Sequence, residues 1–96
     1  MKTANEFKAI LAQHKKKLQQ DFHIKRLGIF GSYSRGEPTE DSDVDILVEF
    51  DQPIGLDFVE LAYQLEDLLK IKVDLVSKKA IKPKMWKYLK DDVIYV

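Results

Sequence analysis

Residues 42–50 read Ser42-Asp43-Val44-Asp45-Ile46-Leu47-Val48-Glu49-Phe50, and their alternation sets how the rest of the chain is read. Val44, Ile46, Val48 and Phe50 alternate with Asp43, Asp45, Leu47 and Glu49, the period of two that gives a β-strand two different faces. The second set puts the carboxylates of Asp43 and Asp45 on one side of that strand. Like charges this close repel, which is costly unless a cation lies between them. A hard divalent ion such as Mg²⁺ takes carboxylate oxygens and leaves room for water and substrate phosphates. Taken alone, the pair also reads as two solvent-facing acids on an edge strand.

Upstream, Ile24 to Phe30 predicts a short strand that stops at Gly31. Gly31 to Ser42 is dense in Gly, Ser, Pro and acids and reads as a loop with room for one helical turn. A glycine at the end of a strand lets the backbone approach a ligand closely. If a helical turn opens at Ser32, its free N–H groups and hydroxyl suit an anion; an ordinary Gly-Ser turn is the plain alternative. Earlier still, Thr3-x-x-Glu6 has the form of a capping box. Phe7, Ile10, Leu11, His14 and Leu18 follow at helical spacing, predicting a helix from about Ala4 to Gln20. Lys15-Lys16-Lys17 is expected near its C-terminal end, where cations complement the helix dipole, and His23 on the surface before the strand.

Downstream, Pro53 and Gly55 break the chain. Asp57-x-x-Glu60 is expected to cap a helix with Phe58, Leu61, Ala62, Leu65, Leu68 and Leu69 on its buried side. Ile71 to Val76 predicts a third strand. Residues 80–90 predict a short helix with Pro83 in its first turn, and Val93 to Val96 an edge strand. Asp74 interrupts the apolar run of the third strand; in a central strand a lone acid costs several kcal/mol unless paired or metal-bound. An edge-strand acid facing water is the bland alternative. The order predicts an α/β (α+β) fold over residues 1–96 as one domain, a small β-sheet covered by helices. The link between the first two strands is too short for a crossover helix, so the sheet is expected to be mixed.

Composition excludes several classes. The 96 residues include no Cys, so neither a disulfide framework nor a thiolate metal site is available. No apolar run approaches the roughly 20 residues that span a bilayer. The start has no apolar stretch before Glu6, so no secretory signal is expected; a cytoplasmic chain without membrane contact is the expectation. The charge is zero, with 16 basic and 16 acidic residues, but it is unevenly spread. Residues 31–74 carry three basic and twelve acidic side chains, while residues 1–30 and 75–96 are both net basic. The acidic middle argues against direct nucleic-acid binding, because it repels phosphates unless metal is present.

The spacing Gly31-Ser32, ten residues, Asp43-x-Asp45, then Asp74, resembles the DNA-polymerase-beta-like nucleotidyltransferase superfamily. The fuller runs Gly31-Ser32-Tyr33-Ser34-Arg35-Gly36 and Ser42 to Val48 resemble its minimal nucleotidyltransferase (MNT) branch, and the likeness covers essentially the whole chain. The resemblance implies the polymerase-beta-like fold, with Asp43 and Asp45 holding one or two Mg²⁺ ions. Asp74 would complete the metal site and help deprotonate an attacking hydroxyl. Gly31 and Ser32 would hold the β- and γ-phosphates of ATP or another nucleotide. Arg35 would either lie beside the triphosphate or brace the loop. The implied chemistry is in-line attack of a hydroxyl on the α-phosphate with pyrophosphate leaving.

Larger members of this superfamily carry a further domain for the acceptor, which these residues leave no room for, so a partner chain is expected. Both long helices and the Trp86–Tyr88 segment offer apolar surface for it, though each also reads as core. In the MNT family the partner is a HEPN-domain toxin, and the MNT chain is its antitoxin. Some members transfer AMP to a HEPN tyrosine; neutralisation by occlusion is the alternative reading. A small-molecule acceptor such as an aminoglycoside fits less well without a second domain. The base preference and the oligomeric state stay open.

Overall fold

The computed structural model describes residues 2–96. Helix α1 spans Ala4–Phe22, strand β1 Ile24–Phe30, the short helix α2 Gly31–Ser34 and strand β2 Val44–Phe50. Helix α3 spans Asp57–Leu69, strand β3 Val73–Ser77, helix α4 Pro83–Leu89 and strand β4 Ile94–Tyr95, with a single 3₁₀ turn at Lys78–Ala80. The sheet order is β3-β2-β1-β4. β1 runs antiparallel to both β2 and β4, and β2 runs parallel to β3 through α3, so the sheet is mixed as expected.

The capping box forms as the sequence predicts: the Thr3 hydroxyl accepts the Glu6 N–H at 3.2 Å, and Glu6 Oε1 accepts the Thr3 N–H at 3.3 Å. Two orphan donors are thereby satisfied at the start of α1. The helix runs past Gln20 because Phe22 still faces the core, and it ends where His23 adopts φ 55°. Two more residues move the lysine run away from the last turn, which holds no basic residue. Lys17 instead bonds Asp21 one turn on, at 2.8 Å.

Phe7, Leu11, Leu18 and Phe22 of α1 and Leu61, Leu65 and Leu69 of α3 pack with Ile24, Leu27 and Ile29 of β1 and Val44, Ile46 and Val48 of β2. These side chains form one continuous cluster on a single side of the sheet. The alternation read from residues 44–50 is the reason, since it sends three β-branched side chains into the cluster and leaves Asp45 on the other side. Leu47 is also buried, although it lies outside that cluster. On β1, Gly28 admits the C-terminal segment: a Cβ there would come within 2.6 Å of Val93 Cγ1 and 3.2 Å of the Ile94 carbonyl.

Two expectations about α3 and β3 change. Asp57 does not cap α3; Leu56 occupies the cap position without a side-chain bond, and Asp57 and Glu60 lie in the first turn, where acids favour the helix dipole. β3 begins at Val73, not Ile71, because Lys70 leaves the helix with φ 58° and the chain must turn before it can pair. Glu66 Oε2 then accepts the Val73 N–H at 3.0 Å and fixes the start of the strand. Pro83 stands in the first turn of α4 as predicted. α4 itself buries no side chain fully; Trp86 is half-buried, with the Lys78 ammonium 4.8 Å from its ring centre. No helix among the described residues is long and apolar enough to cross a membrane.

Candidate active site

The site is assembled where β1 ends and where β2 and β3 begin. Asp45 is the second residue of β2 and Asp74 the second of β3, and the two are register partners. In-register residues of a parallel pair project to the same side of the sheet. β3 proves to be an edge strand and Asp74 is exposed, so it does not carry the cost of a central buried acid. Its importance lies in its position beside Asp45. Asp43 precedes the strand by one residue and is exposed.

Gly31 completes the arrangement from β1. Phe30 pairs with Asp45, so the next residue of the chain turns directly over the Asp45 side chain. Gly31 has φ +73°, and a Cβ built on it would collide with the Asp45 carboxylate. Glycine is therefore required twice over, by conformation and by space. From Gly31 the chain enters α2. The Ser34 hydroxyl donates to the Gly31 carbonyl at 2.9 Å, and the Arg35 N–H donates to the same oxygen at 3.1 Å. Ser32 is half-buried on this turn.

The electrostatics converge on Asp45. Its carboxyl is pushed up to about 6, mainly by burial. The charge of Asp74 and its carboxyl oxygens, close enough to share a proton, add to the shift; Asp43 contributes by charge alone, and Arg35 opposes it. Arg35 is exposed and sits 3.8 Å from Glu37, so it neighbours both the loop and the acids. Among the described residues no three His, Cys, Asp or Glu side chains already converge tightly enough to hold a metal ion. The donors nonetheless suit a hard divalent cation: they are all carboxylate oxygens, and the repulsion from Asp74 and Asp43, which adds to the effect of burial on Asp45, is what such a cation relieves.

The sequence expectation thus finds Gly31, Ser32, Asp45 and Asp74 together, with Asp43 and Arg35 at the margin. A cleft of about 400 Å³ at the other end of β2 and β3 is lined by Phe50, Ile54, Phe58, Ser77, Lys78 and Lys79, and no motif residue lines it. Tyr33 stands behind the site: it is the side chain that fastens α2 to the core, 4 % exposed and edge-on to Phe7 at 5.2 Å between ring centres. An aromatic residue inside an otherwise polar loop was the available signal.

Residues 11–96 match the model of the nucleotidyltransferase domain. The chain belongs to the nucleotidyltransferase family. A relative from Thermococcus cleftensis, the protein adenylyltransferase MntA, is 48% identical to this nucleotidyltransferase over 97 residues, covering 100% of this chain and 98% of that one. Among solved structures, a candidate minimal nucleotidyltransferase superposes with TM-score 0.74 at 33% identity, covering 92% of this chain and 93% of its own. A toxin–antitoxin crystal structure with AMP-PNP matches with TM-score 0.61 at 30% identity, over 76% of this chain and 61% of that one. This nucleotidyltransferase thus shares its fold with minimal members of the family and its full length with a protein adenylyltransferase.

Proposed function

We propose that this chain is a Mg²⁺-dependent protein adenylyltransferase that moves AMP from ATP to a tyrosine hydroxyl of a HEPN toxin, and so acts as its antitoxin. The observation that carries the reading is the meeting of Gly31, Asp45 and Asp74 at one corner of the sheet, in a chain matched end to end by a protein adenylyltransferase. Similarity to a toxin–antitoxin assembly with AMP-PNP supports a toxin partner and an adenine nucleotide.

In this reading Gly31 leaves the backbone bare for close approach by the triphosphate, and Ser32 offers its hydroxyl and amide to the β- and γ-phosphates. Asp43, Asp45 and Asp74 would hold the cation. A bound Mg²⁺ ion supplies the charge neutralisation that lets a triphosphate enter an acidic site and stabilises the oxygens of the displacement. The acceptor oxygen forms a bond to the α-phosphorus, the bond from that phosphorus to the β-phosphate oxygen breaks, and pyrophosphate departs. Asp74, exposed at the edge of the site, receives the hydroxyl proton. Arg35 lies beside the phosphates as the cation that remains when the acids are engaged.

The test is intact mass spectrometry of the neighbouring gene product after incubation with this chain, Mg²⁺ and ATP. Addition of one or more AMP units by the wild type, and none by Asp45→Asn, supports the reading. Full neutralisation of the partner by Asp45→Asn, without any added AMP, would replace it with occlusion.

A further inference from the structure

We propose that Tyr33 is a positioning residue for the nucleotide, which acts by holding Gly31 and Ser32 against Asp45. The inference rests on the nucleotide-binding reading of Gly31 and Ser32 given above. A helix of four residues cannot hold itself, because nucleation alone costs more than so few hydrogen bonds return. α2 has no side-chain N-cap either. It must be fixed by something outside itself.

Its backbone bonds, from Arg35 N–H to the Gly31 carbonyl and from Glu37 N–H to the Ser32 carbonyl, close the turn internally but do not tie it to the rest of the molecule. Gly31 has no side chain, and Ser34 bonds back to Gly31. Tyr33 is the one α2 side chain in the core cluster. Its ring meets Phe7 at an interplanar angle of 74°, the edge-to-face arrangement that aromatic pairs favour. Phe7 sits on the first turn of α1, just past the capping box that secures that helix end. The chain of support therefore runs from the start of α1, through Phe7 and Tyr33, to Gly31 and Ser32. A ring here fixes the turn in a way that a smaller, more mobile side chain does not.

Two measurements test this on the full chain. The first is Mg²⁺–ATP affinity by calorimetry for wild type, Tyr33→Phe, Tyr33→Leu, Phe7→Leu and Leu65→Ala. Leu65 is buried like Tyr33 but lies on α3, so its truncation destabilises the fold while leaving every α2 side chain in place. Tyr33→Phe should bind as wild type does. Tyr33→Leu should lose affinity by about tenfold, less than the roughly hundredfold loss of rate that a 1 Å misplacement can cause, and Phe7→Leu should lose part of that. Leu65→Ala should lower the melting temperature and leave the affinity unchanged. The second is amide hydrogen exchange at residues 32–37 without nucleotide, which should quicken in Tyr33→Leu and not in Tyr33→Phe. Wild-type affinity and protection in a folded Tyr33→Leu, or an equal affinity loss in Leu65→Ala, would overturn the proposal. If the wild type itself fails to bind Mg²⁺–ATP, the nucleotide reading falls, and the exchange result alone decides whether Tyr33 holds the turn.

Discussion

Asp45 and Asp74 are register partners on adjacent parallel strands, and they stand one strand spacing apart on the same side of the sheet. That relationship explains why an acid is useful at the edge of an otherwise apolar strand. Burial is the main cause that raises Asp45, and Asp74 is the next. In Asp74→Asn the Asp45 pKa should fall from about 6 yet stay above its ordinary 3.8, because the burial remains. A carboxyl NMR titration reads this directly, and an unmoved Asp45 would show that the pair is not coupled.

Gly31 should tolerate no side chain. In Gly31→Ala the new methyl meets the Asp45 carboxylate, and φ +73° adds strain of its own. Residues held in such conformations cost about 1–3 kcal/mol, so a urea midpoint should drop accordingly. AMP transfer should be lost beyond what the stability change explains, since Asp45 must move to make room. Retention of both wild-type stability and transfer in Gly31→Ala would contradict the packing of these two residues.

The strands and the long helices were legible because each carries a strong period. β1 and β2 have the bounds that the residue pattern indicated, and β2 presents Asp45 opposite Val44, Ile46 and Val48 because alternation leaves no other choice. The strand order was not legible, so Asp74 could be read as central or as edge. Element ends were blurred where something outside the local pattern decides them: Phe22 extends α1 because it is buried in the core, and the turn at Lys70 delays β3 to Val73, whose N–H Glu66 then accepts. In the site, Gly31, Ser32, Asp43, Asp45 and Asp74 stand out only through the resemblance of their spacing to the nucleotidyltransferase superfamily, since each alone also has a plain structural reading. The contact of Tyr33 with Phe7 was not legible, because Phe7 lies 26 positions earlier in the chain and no local pattern links the two.

The Glu66 bond and the Arg35–Glu37 ion pair should differ in their contribution to stability. Glu66 Oε2 accepts the N–H that opens β3 at 3.0 Å in a half-buried setting. Its replacement in Glu66→Ala leaves that donor short of a partner and should cost about 1–2 kcal/mol. Arg35 and Glu37 are both exposed and 3.8 Å apart. Exposed pairs contribute little, so Glu37→Gln should change unfolding by less than about 0.5 kcal/mol. Equal effects in urea titrations would mean that the β3 start is held by other contacts.

Asp45→Asn should remove AMP transfer and, without metal, make the protein more stable near neutral pH. The folded pKa of about 6 lies above the ordinary 3.8, so the folded state binds the Asp45 proton more tightly than the unfolded chain does. The stability this contributes is fully present below about 3.8 and is lost as pH rises through about 6. Above that range the wild type carries an uncompensated penalty that the neutral Asn lacks. The carboxyl is only half-buried, and solvent screening reduces the penalty to about 1–2 kcal/mol. Metal-free urea unfolding should therefore show Asp45→Asn ahead of wild type by that amount at pH 7.5, with the gap closing by pH 4. Added Mg²⁺ should raise the wild type and leave Asp45→Asn in place, because binding to the folded state alone stabilises it. A variant less stable than wild type at pH 7.5, or equally stabilised by Mg²⁺, would refute both the strained carboxylate and its part in holding the cation.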